Sequence, residues 1–280
     1  MPDVPLEIQI IPFEETTLVS KARIKLQETW ARPDGEELVT AIETAEVDRQ
    51  LRLGGFYAWS REPDREWLRA RRAYKKAQRE WLQNHPLNVI DSPERLERAL
   101  LRGDGPSMAE AVDWFGIKGR AEEPPKEWRG LDATPAHEWA AFLKGAPTVF
   151  FGQRVAFAEL VATYGAMPYY GAGTDAGKGI LKEDGSRSIV ASLGAHGTGK
   201  NLQMFSTAVL LDPPPSGARL EQVLGRLHRP GQGASLVRYL ISAAWADEAR
   251  RALAGARWLA TSLGQPQRMI VAERRGRGWE

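Results

Sequence analysis

The chain changes character near residue 135, and that change constrains the fold more than any other feature. Beyond it, short apolar runs at 148–151, 168–170, 188–193, 208–211 and 236–242 alternate with helical patterns at 155–164, 220–228 and 246–263. Parallel strands need a crossover between them, usually a helix, so this alternation predicts a parallel sheet covered by helices. Before residue 135, helical patterns dominate, at 18–27, 36–53, 63–83, 92–102 and 107–114, separated by Gly and Pro breaks. The expected organisation is a mainly helical region over 1–135 followed by an α/β region over 136–280.

Composition narrows the chemistry. The chain has no cysteine, which removes disulfides, thiolate zinc sites and cysteine nucleophiles together. The four histidines, His85, His137, His196 and His228, show no metal-ligand spacing, so no structural metal is expected. The net charge is only +2, so contact with nucleic acid must come from local patches. The first twelve residues lack the basic and apolar segments of a signal peptide, and no run of apolar residues is long enough to span a bilayer. A cytoplasmic protein without membrane contact is the expectation.

One local patch lies on the helix expected over 63–83. Arg65, Arg69, Arg72, Lys76 and Arg79 recur at steps of four and three and share a face, while Trp67, Tyr74 and Trp81 fall opposite. This is an amphipathic helix with an aromatic buried side. Its basic side, with Arg69, Arg72 and Lys76 at the centre, is a candidate rail for nucleic-acid phosphates.

A glycine loop, Gly194-Ala195-His196-Gly197-Thr198-Gly199-Lys200, satisfies G-x-x-x-x-G-K and follows a strand. Two facts oppose an ATP site. Asn201 stands where a magnesium-binding hydroxyl is needed, and the strand ending at Asp212 arrives too soon to leave room for a P-loop helix. Taken as a block, Gly197, Thr198, Gly199, Lys200, Asn201, Leu202 and Gln203 instead resemble motif V of Swi/Snf-like superfamily-two helicases. The resemblance implies nucleic-acid contact by Gly197, Thr198, Gly199, Lys200 and Asn201.

The most specific stretch is Gln222-Val223-Leu224-Gly225-Arg226-Leu227-His228-Arg229-Pro230-Gly231-Gln232. It resembles motif VI of the same helicases, Q-x-x-G-R-x-H-R-x-G-Q. Arg226 and Arg229 are three apart, so a helix would project both guanidinium groups from one face. A planar, permanently charged fork suits the charge that develops on a transferring phosphoryl group. The resemblance implies catalytic arginine fingers at Arg226 and Arg229, and nucleotide contact by Gln222, Gly225, Arg226 and Arg229. Pro147-Thr148-Val149-Phe150-Phe151 resembles motif IV. Gly54-Gly55-Phe56-Tyr57, Asp91-Ser92-Pro93, Pro168-Tyr169-Tyr170-Gly171 and the Pro213-Pro214-Pro215-Ser216-Gly217 insert resemble segments of phage-encoded members.

The fold implied is α/β, a RecA-like parallel sheet with flanking helices preceded by a mainly helical region. A complete motor also needs a P-loop lysine and an acidic magnesium-binding pair, and no D-E-x-H or D-E-x-D occurs. The chain starts about where a first lobe would end, which fits a split motor or a fragment; the intact second-lobe motifs favour the split motor. ATP and Mg would be held mainly by a separate polypeptide carrying the first lobe. The partners would be that polypeptide and duplex DNA, in the cytoplasm of a bacterial host if the chain is phage-encoded. The competing expectation is a non-catalytic nucleic-acid-binding accessory built on a helicase lobe.

Overall fold

A computed structural model of the chain describes residues 3–13, 15–85, 90, 92–120, 122–142, 146–197, 200–214, 216–277 and 279. It forms two compact units, one of residues 16–132 and one of residues 1–15 with 133–280.

The 16–132 unit contains α1 (Thr17–Thr29), α2 (Ala41–Leu51), β2 (Gly55–Trp59), α3 (Arg65–Asn84), α4 (Pro93–Arg102), α5 (Ala109–Ile117) and β3 (Lys126–Gly130), with β2 and β3 antiparallel. Capping residues set the helix starts. The expected helix over 36–53 begins only at Ala41, because Thr40 and Glu43 form a reciprocal capping box there. Asp64 accepts the Glu66 and Trp67 amides at the head of α3, and Ser92 caps α4.

Tryptophans fill the core of this unit. Trp59, Trp67 and Trp114 meet edge to face at 5.9 and 5.2 Å, and Tyr74 stacks on Trp114. Over Trp59 lie the Arg71 and Arg32 guanidiniums, at 4.9 and 5.4 Å. Arg71 is ion-paired with the buried Glu36.

The second unit opens with β1 (Leu6–Ile11) and continues through α6 (Thr134–Phe142), β4 (Thr148–Gly152), α7 (Val155–Tyr164), β5 (Tyr169–Tyr170), α8 (Thr174–Ile180), β6 (Ile189–Ser192), α9 (Leu193–His196), β7 (Thr207–Leu210), α10 (Gly217–Leu224), β8 (Val237–Ser242), α11 (Ala246–Leu263), α12 (Arg268–Val271) and β9 (Glu273–Arg275). Its seven strands run parallel in the order β5-β6-β4-β7-β8-β1-β9. Strands β4 and β6 are buried along their whole length, as inner strands of a sheet with both faces covered must be. This is the RecA-like layer of a parallel sheet flanked by helices. No helix among the described residues is long and apolar enough to cross a membrane.

Two expectations are corrected by this arrangement. Residues 1–15 belong with the α/β unit, because β1 pairs with both β8 and β9. The helix expected over 220–228 stops at Leu224. Near the C-terminal end, Arg274 and Arg275 are exposed and lie in β9, in register with Ile8 and Gln9.

Candidate functional site: an arginine turn braced by a glycine loop

The helix α10 ends at Gly225, whose amide returns to the Glu221 and Val223 carbonyls. What closes it is a distant side chain. The hydroxyl of the fully buried Tyr239, on β8, donates to the Val223 and Leu224 carbonyls at 2.9 and 3.0 Å and accepts the Leu227 amide at 3.3 Å. Burial pushes the Tyr239 pKa up, so the hydroxyl stays protonated and able to donate. Residues 225–231 therefore form a turn, not the helical face expected to project Arg226 and Arg229 together. Gly231, with φ at +87°, provides the left-handed residue that lets the chain double back.

Most polar groups of the arginine block are used to build this turn. Gln232 donates from Nε2 to the Phe205 and Leu227 carbonyls at 3.1 and 3.0 Å. His228 is buried, and its Nε2 donates to the Val4 carbonyl at 2.7 Å; burial pulls its pKa down, keeping the ring neutral. Val4 precedes β1 and Phe205 precedes β7, so the turn lies at the edge of the sheet where those strands begin. Ligand crevices of open α/β sheets lie at the opposite edge, beyond the carboxyl ends of the strands.

The two arginines differ. Arg226 is half-buried and donates from Nη1 to the Lys200 carbonyl at 3.1 Å, while its own carbonyl accepts the Leu202 amide at 3.4 Å. It is a strut that fixes the glycine loop to the arginine turn. Burial, then the adjacent Arg229 and Arg268 charges, pull its pKa down from the ordinary arginine value. Arg229 is half-buried too, and its guanidinium has no hydrogen bond or ion pair among the described residues. Gln222 is exposed, and Gly225 packs its backbone near Gln222 and Arg268.

Among the described residues, no helix follows the glycine loop before β7. The single-turn α9 follows β6, and residues 200–206 then run to β7 with no helix. A Cβ on Gly197 would come 2.4 Å from the Leu193 carbonyl oxygen, so only glycine fits. Lys200 is half-buried, and its Nζ donates to the Gly177 carbonyl at 3.3 Å. Asn201 is exposed and orients the loop by accepting the Gln203 amide at 3.3 Å. Thr198 and Gly199 lie outside the described residues. His196, buried behind the loop, donates to the Gly171 carbonyl at 2.8 Å, and burial lowers its pKa.

Asp212 is buried at the end of β7, where a magnesium-binding acid would stand. Its carboxylate instead accepts the Gln153 amide at 2.5 Å and the Arg154 amide at 3.2 Å, with the Arg154 guanidinium at 3.5 Å. It braces the two residues that lead into α7, whose first residue is Val155. The residues present therefore do not fit a complete ATP and magnesium site within this chain. Among the described residues, no cluster of His, Asp or Glu could hold a metal ion.

On α3, the expected basic rail is thinned. Arg79 turns to Glu37 at 3.0 Å, and Arg72 is 3.9 Å from Glu36. Arg69 is exposed but shares an open cavity of about 560 Å³ with Glu66, Glu110 and Asp113. Lys76 is exposed, with no ion-pair partner among the described residues. Arg69, Arg72 and Lys76 lie in the 16–132 unit, whereas the arginine turn and glycine loop lie in the other.

Sequence reasoning missed Tyr239, Glu221 and Arg268. A tyrosine inside a buried strand is the one readable signal, since its hydroxyl must find a partner. Glu221 and Arg268 are 47 positions apart and leave no local pattern.

No family model matches the chain, and no curated protein matches it. Solved structures do. The C-terminal part of the Fun30 ATPase domain is similar at 12% identity over 86% of this chain and 85% of that one, with a TM-score of 0.41. The SWI2/SNF2 ATPase core domain of Sulfolobus solfataricus is similar at 13% identity, covering 96% of this chain and 46% of that one, with a TM-score of 0.38.

Proposed function

We propose that this chain is the second RecA-like lobe of a Swi/Snf-like, DNA-dependent ATPase, with its ATP and Mg held mainly by a first lobe on a separate polypeptide. The observation that carries the reading is the arginine turn: its Arg226, His228 and Gln232 side chains each bond a carbonyl within the lobe, whereas the Arg229 guanidinium has no partner among the described residues. Arg229 is the finger that would meet phosphoryl charge at the lobe interface, and Arg226 holds motif V and motif VI together. Asp212 and Lys200, both engaged within the lobe, leave magnesium and the triphosphate to the partner.

The test mixes the chain with a candidate first lobe and duplex DNA and follows ATP turnover. Replacing Arg229 with alanine should lower kcat on the order of a thousandfold, the usual worth of such a finger. Turnover that survives Arg229→Ala unchanged removes the assignment.

The accessory reading is supported by the exposed cations Arg69 and Lys76. It requires the chain alone to bind duplex DNA with an affinity that falls steeply with salt and with loss of those two side chains.

A further inference from the structure

We propose that Arg268, delivered by α12 from the C-terminal end of the chain, is a positioning residue for the arginine turn. Its functional meaning rests on the finger reading above; its structural content does not.

The link is direct. The Nε of Arg268 donates to the His228 carbonyl at 3.3 Å. That carbonyl belongs to the peptide unit joining His228 to Arg229. Because a peptide unit is planar, fixing its oxygen fixes the amide and the Cα direction of Arg229. Arg268 is held in turn by Glu221 on α10. The Glu221 carboxylate accepts Nη1 of Arg268 at 3.1 Å, the Arg268 amide at 2.7 Å and the Met269 amide at 3.2 Å. One carboxylate thus caps α12 and orients the guanidinium that the helix carries.

Two further observations fit. A Cβ on Gly225 would stand 3.4 Å from Cζ of Arg268, an ordinary contact distance that places the guanidinium directly against the turn. The Arg268 charge is felt at Arg226, where it disfavours a second cation. Glu221 offsets this charge, which explains an acid otherwise out of place in a basic block. Arg268 thus faces Glu221 and the His228 carbonyl, and its charge also reaches Arg226, the His228 ring and Tyr239.

Hydrogen exchange on the full chain tests this. In Arg268→Ala, amides of residues 225–232 should exchange about tenfold faster, the consequence of losing one charge-assisted hydrogen bond, while amides of β4 and β6 keep their rates. Arg268→Lys keeps the charge but replaces the planar two-nitrogen fork by a single nitrogen, and should fall between. Unchanged exchange at 225–232, or an equal rise in β4 and β6 in both variants, overturns the proposal. In the reconstituted ATPase, Arg268→Ala should lower kcat and leave KM for ATP in place. If Arg229→Ala leaves turnover intact while Arg268→Ala still loosens the turn, the finger reading fails and the positioning role stands. If Arg229→Ala abolishes turnover while Arg268→Ala alters neither exchange nor kcat, the positioning role fails alone.

Discussion

Replacing Tyr239 with phenylalanine isolates one oxygen atom at the root of the arginine turn. The ring remains, so the buried apolar area and the shape of the cavity are unchanged. The hydroxyl makes three contacts, which do not count equally. The Val223 carbonyl also accepts the Gly225 and Arg226 amides, and the Leu224 carbonyl also accepts the His228 amide at 3.2 Å. Both carbonyls therefore keep a partner. The Leu227 amide has no other acceptor among the described residues and would be stranded in a residue that is fully buried. Losing the donated bond is worth about 1 kcal/mol, and a stranded buried amide adds about 1–3 kcal/mol. The expected loss is therefore roughly 2–4 kcal/mol, confined to the α/β unit. With two compact units a single bulk transition is the wrong measure. Urea-dependent exchange of β4, β6 and β8 amides reports the α/β unit alone. A loss below about 0.5 kcal/mol, the scale of an ordinary surface change, would mean that the hydroxyl does not hold the turn.

Three more tests address neighbouring groups. Asp212→Asn presents an amide where the Arg154 amide and guanidinium donate, and should cost about 3 kcal/mol with or without magnesium; a loss that appears only in the presence of magnesium would return Asp212 to metal binding. Glu36→Ala leaves the Arg71 guanidinium buried beside only the more distant Glu123, and should destabilise the 16–132 unit by about 3 kcal/mol, read from tryptophan fluorescence; no change would show that the pair is incidental. Burial lowers the pKa of His196 and His228, so both are neutral in the folded chain, and stability is complete above the ordinary histidine value of about 6.5. As pH falls below it the unfolded chain takes up protons that the folded chain refuses, and stability should drop by up to about 1.4 kcal/mol per pH unit for each ring; a pH-stability curve unaltered by replacing both histidines with glutamine would contradict this.

How much was legible depended on the range of the interactions. The helices at 155–164 and 246–263 coincide with their expected limits, because apolar periodicity and the following Gly165 and Gly264 are local signals. No helix forms over 200–206, as the short stretch between Lys200 and the strand ending near Asp212 leads one to expect. The end of α10 was not legible. Its sequence continues to favour a helix through His228, and the helix closes because a hydroxyl on a strand twelve positions beyond Leu227 takes its last carbonyls. Strand β1 alternates apolar and polar residues as a strand should, but its partners lie more than two hundred positions away. On α3 the periodicity placed Trp67 and Tyr74 on the buried side, where they lie, but Trp81 is only half-buried, and the pattern could not reveal that Glu37 turns Arg79 away from the basic face.

The arginine block therefore divides its labour in a way that its spelling hides. Two guanidiniums look equivalent in the sequence, yet one fastens the loop at Lys200 and the other is left over. Gly231 allows the reversal, Gln232 ties it to the segment before β7, His228 ties it to the segment before β1, and Arg268 reaches it from the far end of the chain. A backbone held from so many directions loses little further freedom when Arg229, without a partner among the described residues, meets an anion. Ordering a flexible side chain and loop at an interface opposes association by roughly 0.5–1.5 kcal/mol for each immobilised group. Here the ordering of the loop is complete within the lobe, so only the Arg229 side chain remains to be fixed. A finger supplied to a site on another polypeptide benefits most from this arrangement, because docking already opposes itself with lost translational freedom and gains when the turn adds little more.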